Sequence, residues 1–483
     1  MTDIFNKIVT YKSKKNFFLG EHESSFFDIS NSILNIKDTF DKYKIKGCRI
    51  GLLSNQGKSH VASLVGAITS KNVSVLLSLE WTEFEILKII NHCEIEYLLS
   101  DVKQFSKIKT ELIFHFKDMD MYLLKTNIDT DLQSNEDDAV IIYSSGTTGT
   151  PKGVLLSRKG ISQNVKSVIK YLSQNSNDSS LIFTPTCYAF SLSQNLTHLY
   201  AKSSLLVIKN KLLFPKDIVD NILKYQITGI TGPPAAFSII SNATKNIIPN
   251  VRYCQVGGTP FSYDLYRKIK KIFIKSKILN VYGCSENSPR ISYFYLKNKK
   301  SISKEGIYPV GKSVSCSKIL LVDNLKKIIC SKNQIGEIAI KSKSIMKGYW
   351  KNENLTKSKL IKGIFYTGDR AYYDKYFNIH LVGRIDTMIN TGNEKVSPEE
   401  VELTLNTHKN ILESIVFPIS DKLLGSKVSA LIVIKDKKKF NVSEVQSYCM
   451  KYLSKYKIPK IIKVTKKIKK NLYGKIDRKF YLA

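Results

Sequence analysis

The chain has 483 residues, 43% of them hydrophobic and 10% aromatic, with 24 Gly and 12 Pro. This composition excludes a collagen-like, low-complexity or disordered chain, and the length suits roughly three domains whose cores need no disulfide staples. The unusual quantity is charge, since 75 Lys+Arg against 41 Asp+Glu leave a formal +34. That is the footprint of a nucleic-acid binder. It is equally the footprint of a compositional bias, because Lys is scattered along the whole chain beside many Ile and Asn residues. Under either reading the surface attracts anionic ligands and acidic partners.

Residues 1–18 lack the apolar run and small-residue cleavage site of a signal peptide. No stretch of about 18 apolar residues marks a membrane span. Short apolar, β-rich runs follow at 47–54, 73–79, 138–145, 203–209, 227–234 and 277–283, with amphipathic stretches at 214–226 and 262–276 between them. The alternation predicts an α/β fold with buried parallel strands and flanking helices. From about Lys318 the runs shorten (318–323, 336–342, 365–369, 377–384), which predicts a small antiparallel subdomain. After Arg384 a new unit begins. Residues 397–408 open with Ser-Pro and an acidic first turn, a helix entry. Two strands (414–421, 428–436) and a helix (443–455) then make a small α+β C-terminal domain. The expected organisation is a large domain over 1–382, a hinge at 383–386, and a small domain over 387–483. The eight cysteines form no C-x-x-C pair and the seven histidines no H-E-x-x-H pattern. Free thiols and no zinc site are expected, and with them the cytoplasm.

The strongest local signal is IIYSSGTTGTPKGV, residues 141–154. An apolar strand runs into Ser144, Ser145, Gly146, Thr147, Thr148 and Gly149, and Lys152 follows. Glycines permit a close backbone approach to a ligand, while hydroxyls and backbone N–H groups donate to phosphate oxygens. Lys152 adds a point charge. The spacing is not that of the Walker A loop. A plain polar turn is the alternative reading of the same residues.

SSGTTGTPKG resembles the phosphate loop of the acyl-adenylate-forming (AMP-binding) superfamily, which includes acyl-CoA synthetases, nonribosomal peptide adenylation domains and beetle luciferase. Six further segments resemble that family's motifs in order: VRYCQVGGTPFS (251–262), NVYGCSEN (280–287), GEIAIKSKSIMKGYW (336–350), FYTGDRAYYDKYFNIHLVGRID (365–386), NTGNEKVSPEEVE (390–402) and NLYGKIDRK (471–479). The resemblance covers nearly the whole chain. It implies a large domain with ATP and acyl sites and a small mobile domain. The implied reaction is ATP-dependent adenylation of a carboxylic acid, followed by acyl transfer to a thiol.

Roles follow from the resemblance. Ser144, Ser145, Gly146, Thr147, Thr148, Gly149 and Lys152 would hold the β- and γ-phosphates. Gly257, Gly258, Thr259, Tyr282 and Gly283 would flank the adenine, and Asp369 with Arg384 would hold the ribose. Glu286, beside Ser285, would bind Mg²⁺. Lys475 would reach the attacking carboxylate. Asp386 would be the hinge, and Tyr188, Phe190, Pro233 and Gly257 would line the acyl pocket. Taken alone, Tyr282 reads as a core aromatic, Asp369 as a turn residue, Glu286 as a solvated acid, and Lys475 as one of many C-terminal cations.

Three positions depart from the family pattern. Ser285 replaces a usual Thr and keeps the hydroxyl. Tyr188 stands where many members have His. Asn393 stands where many have Gly beside the pantetheine tunnel; Asn tolerates left-handed backbone, but its side chain would crowd the tunnel. Residues 185–195 contain no carboxylate, so an α-ammonium would lack a counter-charge, which disfavours α-amino acids. Phe190, Leu192, Pro233, Pro234, Ala235 and Phe237 suggest an apolar pocket or, equally, core. The thiol is that of CoA or, alternatively, of a carrier protein's phosphopantetheine. A nucleic-acid-binding protein and an inactive scaffold are the readings from other classes.

Overall fold

The structure is a computed structural model; it describes residues 3–21, 23–144, 152–208, 215–258, 261–296, 301–303, 307–385, 389–396, 398–435, 440–469 and 481. The apolar runs become strands. Arg49–Leu53, Val73–Leu76, Gly229–Gly232 and Tyr253–Gly257 are buried at every position, as strands covered on both faces must be.

They sort into two sheets. The nine-stranded sheet runs in the order Lys312–Ser313, Arg290–Tyr295, Lys277–Gly283, Tyr253–Gly257, Gly229–Gly232, Ser179–Ile182, Ser204–Val207, Asn16–Leu19, Ser24–Ser25. Its middle is parallel. The eight-stranded sheet runs Gly348–Tyr349, Lys152–Ser157, Asp138–Ser144, Val73–Leu76, Arg49–Leu53, Tyr97–Ser100, Met121–Thr126, Thr110–Phe116. The last two form an antiparallel edge hairpin. Exposure made that hairpin hard to foresee, because Thr110–Phe116 leaves most of its side chains partly or fully open, with no regular alternation.

Helices Phe26–Lys42, Lys58–Thr69, Arg158–Leu172 and Ala189–Ala201 lie between the sheets. Their Ile33, Val61, Ile161 and Leu192 share one core with Leu52 and Val140 of one sheet and Phe18 and Leu205 of the other. Pro215–Lys224, Pro234–Ala243 and Tyr263–Ile272 cover the outer face of the nine-stranded sheet. Glu83–Cys93 covers that of the other. The expected antiparallel subdomain is present as Ser317–Val322, Gly336–Ser342, Ile364–Tyr373, Leu360–Ile361 and Ile379–Arg384. The C-terminal strands and helices close on their own core, which includes Val401, Val416, Ile432 and Cys449. No helix among the described residues is long and apolar enough to cross a membrane.

One buried amide fixes the turn after Lys277–Gly283. Asn164, on the central helix Arg158–Leu172, is fully buried. Its Nδ2 donates to the carbonyls of Asn287 (3.0 Å) and Arg290 (2.8 Å), and its Oδ1 accepts from the Arg290 N–H (3.2 Å). These groups have no water to fall back on, so losing the amide strands several of them. Asn164→Ala should lower stability by about 3 kcal/mol, read as a fall in the unfolding midpoint of the full chain. A loss below about 1 kcal/mol would mean that the turn holds itself.

Candidate functional site

Strands Tyr253–Gly257 and Lys277–Gly283 pair in parallel with Gly257 opposite Val281. A Cβ on Gly257 would sit 2.6 Å from both Val281 Cγ2 and Val281 O, so no side chain fits there. Gly258 follows, exposed, at φ +95°. Tyr282, buried, points its hydroxyl at Asp369 and donates to Oδ2 at 2.5 Å. Burial, and then the Asp369 charge, push the phenol well above its ordinary pKa. It is therefore a fixed, neutral donor.

Asp369 is no turn residue. It lies inside Ile364–Tyr373, opposite Arg384 in the neighbouring strand. Its own N–H donates to Thr367 Oγ1 at 3.0 Å. The preceding Gly368, at φ +78°, donates its N–H to Glu337 Oε1 at 3.0 Å and accepts from the Ile385 N–H at 2.6 Å. The antiparallel subdomain thus presents Asp369 to the nine-stranded sheet at a defined place.

Glu286 occupies the short turn Ser285–Asn287, held from beneath by Asn164. It is half-buried, and its Oε1 accepts the Tyr349 hydroxyl at 3.0 Å. Its carbonyl accepts the Met346 N–H at 2.8 Å. The same segment pairs with the hairpin of Asp138–Ser144 and Lys152–Ser157, Gly348 opposite Leu155, and Trp350 donates its N–H to Gly153 O at 2.7 Å. Residues 346–350 therefore clamp the glutamate turn to the strand that starts at Lys152. Ser144 and Lys152 are paired across that hairpin. Ser145, Gly146, Thr147, Thr148, Gly149, Thr259, Asp386 and Lys475 lie outside the described residues, as do the side chains of Ser144 and Arg384.

Tyr188, expected at the acyl pocket, is the N-cap of Ala189–Ala201, and its hydroxyl donates to the Glu394 carboxylate. Burial first, and then Cys187, Tyr456 and Glu394, raise this phenol well above the usual range. Glu394 comes from the C-terminal hairpin Ile389–Thr391 and Glu394–Val396. The left-handed position in that hairpin is Gly392, at φ +63°. Asn393 does not need the backbone latitude expected of it; its Oδ1 lies 3.9 Å from a Cβ built on Gly258. Phe190 is half-buried and Pro233 buried at the start of Pro234–Ala243. Leu192 and Phe237 belong to the cores on opposite faces of the nine-stranded sheet. They are packing residues, and the expected apolar pocket loses both.

A second interdomain contact had no motif to announce it. Glu85 closes the capping box of Glu83–Cys93 with Thr82. The same carboxylate accepts from Ser454 N–H (3.1 Å), Ser454 Oγ (2.7 Å) and Lys457 Nζ (3.1 Å). Phe84 packs edge-on against Tyr452 at 5.5 Å. Lys457 and Glu85 are both buried. Arg290, Asn164, Tyr349 and Glu394 also escaped sequence reading, although Tyr349 and Glu394 lie within motif segments.

With this geometry in view, the family can be identified. Residues 45–350 match the family model for AMP-binding enzymes, and residues 400–475 match the AMP-binding enzyme C-terminal domain. The chain belongs to the AMP-binding enzyme family. It is similar to an oxalate–CoA ligase of Arabidopsis thaliana, 27% identical over 72% of this chain and 68% of that protein. Relatives of this kind are matched over 61% to 69% of their own length. The expected ligase class is borne out by these CoA ligases. Among solved structures, o-succinylbenzoate CoA synthetase of Bacillus subtilis, a double mutant bound to a product analogue, superposes with TM-score 0.87 at 21% identity, covering 99% of this chain and 97% of that one. The same enzyme with its acyl-adenylate intermediate gives 0.68 at 21% identity, over 99% and 97%. An adenylation–carrier didomain from Klebsiella oxytoca gives 0.81 at 18% identity, over 95% and 92%. The α/β fold with a smaller C-terminal domain is therefore the fold of adenylate-forming enzymes.

Removing one member of a buried ion pair leaves its partner stranded at a cost of about 3 kcal/mol or more. Lys457→Met keeps the capping box and strands Glu85. It should loosen the small domain, seen in small-angle scattering as a larger radius of gyration. An unchanged curve would mean that the Phe84–Tyr452 packing holds the domain unaided.

Proposed function

We propose that the chain is an ATP-dependent acid–thiol ligase acting through an acyl-adenylate. The observation that carries this reading is the convergence of three motif segments: Gly257–Gly258, Tyr282 with Glu286, and Asp369, tied by the Tyr282–Asp369 hydrogen bond. In the first step a carboxylate oxygen attacks the α-phosphorus of ATP. The bond to the bridging oxygen breaks, and pyrophosphate leaves with the electron pair. In the second step a thiolate attacks the acyl carbonyl and AMP leaves.

The obstacle is repulsion between an anionic nucleophile and a polyanion, so catalysis is positioning and charge neutralisation. Tyr282 offers its ring to the adenine. Asp369, with Arg384 opposite, takes the ribose. Ser144–Gly149 and Lys152 take the phosphates that become pyrophosphate. Lys475 comes in from the small domain to the reacting carboxylate. Glu286 fits Mg²⁺: it supplies one hard carboxylate, and no group of three or more His, Cys, Asp or Glu lies together among the described residues. An ion here would be shared with phosphate oxygens and water, as Mg²⁺ prefers, and would supply charge neutralisation.

We read the described domain arrangement as the thioester-forming one, with rotation about Asp386 giving the adenylating one. Its support is the Glu394–Tyr188 contact, which lays the 389–396 hairpin against the acyl side, and the better superposition on the product-analogue complex. CoA is the acceptor we favour, because the curated relatives are CoA ligases. The net charge of +34 and the didomain neighbour favour an acidic carrier protein as the second reading. We place the enzyme in the cytoplasm, since all eight cysteines are free thiols.

Lys475→Ala tests the reading. Acid-dependent pyrophosphate exchange should fall by roughly 100-fold or more, while ATP binding and thioester formation from preformed acyl-AMP persist. Undiminished exchange would remove Lys475 from the first step, and absence of exchange in the parent enzyme with every acid would remove the ligase reading. Loading assays with CoA and with carrier proteins decide the acceptor.

A further inference from the structure

Three Lys or Arg side chains are buried among the described residues: Arg49, Lys457 and Arg290. Arg49 pairs with Glu96 at 2.9 Å and Lys457 with Glu85 at 3.1 Å. Arg290 is 4% exposed, has no carboxylate partner among the described residues, and leaves its Nε without any hydrogen-bond acceptor. A buried cation in that condition is costly.

Its surroundings do not neutralise it. The guanidinium lies over the Phe190 ring, 5.1 Å from the centroid. Beside it is Tyr171, fully buried, whose hydroxyl donates to Gln255 Oε1 at 2.5 Å. Burial pushes that phenol up to about 12, against the pull of Arg290, so it remains neutral. Gln255 is itself spent, since its Nε2 donates to Thr231 Oγ1 at 3.0 Å. The guanidinium therefore meets no anionic group among the described residues.

Its neighbour Phe190 is one of the residues the family resemblance assigns to the acyl pocket. Phe190 stands two residues past Tyr188 on the same helix start. Gln255 lies two residues before Gly257 on one strand, hence on the same face and roughly 7 Å deeper. In an acyl pocket lined by Gly257 and Phe190, Arg290 would form a cationic floor. Resting on the ligase reading, we infer that the acid activated here is a dicarboxylate, or an acid carrying an equivalent second anionic group. One carboxylate reacts and the other makes a bidentate pair with Arg290, the geometry a guanidinium fork provides. An α-ammonium is repelled by the same charge.

The test uses the full chain with succinate, glutarate, adipate and phthalate, each against its monomethyl ester. Two readouts run together: acid-dependent pyrophosphate exchange, and the thermal shift each compound causes in the presence of ATP. The parent enzyme should prefer at least one diacid over its ester by roughly 100-fold in kcat/KM, as sites built for a charged group do. Arg290→Met should shrink that ratio to within a few-fold. Arg290→Lys, which keeps charge but loses the fork, should fall between. Exchange with monoesters or simple monoacids equal to that with diacids would overturn the inference and leave the ligase reading intact. So would an unchanged ratio in Arg290→Met. No exchange with any acid, together with a diacid-specific thermal shift lost in Arg290→Met, would sustain the diacid site and overturn the ligase reading. No exchange and no shift would overturn both.

Discussion

Tyr282 donates a hydrogen bond to Asp369 across 2.5 Å, and at that point the antiparallel subdomain is fastened to the nine-stranded sheet. The bond is made between a buried phenol and a carboxylate, so it is charge-assisted and shielded from water. Much else hangs from it. Asp369 is opposite Arg384, and the Ile385 N–H is bonded to the Gly368 carbonyl. Ile385 is therefore bonded to the residue next to the one that ties the two sheets. A shift of Asp369 would move the aromatic face of Tyr282 and the exit of the chain together.

The charge of the molecule has two separate meanings. Most of the excess is Lys on exposed positions, where pairs such as Lys357–Glu353 are open to solvent and contribute little. The buried cations are a different matter. Each occupies a structural junction: Arg49 ties a strand of the eight-stranded sheet to Glu96, Lys457 ties the small domain to Glu85, and Arg290 stands at the acyl end. Burial, and not number, separates these three cations from the solvated background, and composition alone is blind to that distinction.

How much the residues disclosed in advance follows from what each depends on. The buried strands were legible because an apolar run covered on both faces needs no partner to be recognised; 277–283 and Lys277–Gly283 coincide for that reason. Asp369 was legible only through its motif, because Thr-Gly-Asp ordinarily makes a turn and here lies inside a ten-residue strand. Asn164 and Glu85 were illegible. Each has an ordinary local role, a helix-surface amide or a capping acid, and gains its second role from a segment more than 100 residues away. The left-handed position beside Asn393 belongs to Gly392, one residue earlier, and the string does not say which of the two neighbours takes it. Arg290 heads the strand Arg290–Tyr295, and what distinguishes it is that no carboxylate among the described residues pairs with it, a property of the fold rather than of the string.

The start of the helix Ala189–Ala201 brings these threads together. Tyr188 reaches outward to Glu394 of the small domain, and Phe190, two residues on, forms the wall over Arg290. On the proposed reading, the element beside the substrate's far end would also be the element that receives the small domain. An acid that pairs with Arg290 would fix Phe190 from below, and a fixed Phe190 fixes the helix entry on which Tyr188 is the cap. Selection of the acid and docking of the domain for thiol transfer then share one rigid turn. A pocket of that kind can couple recognition to domain closure without any additional moving part.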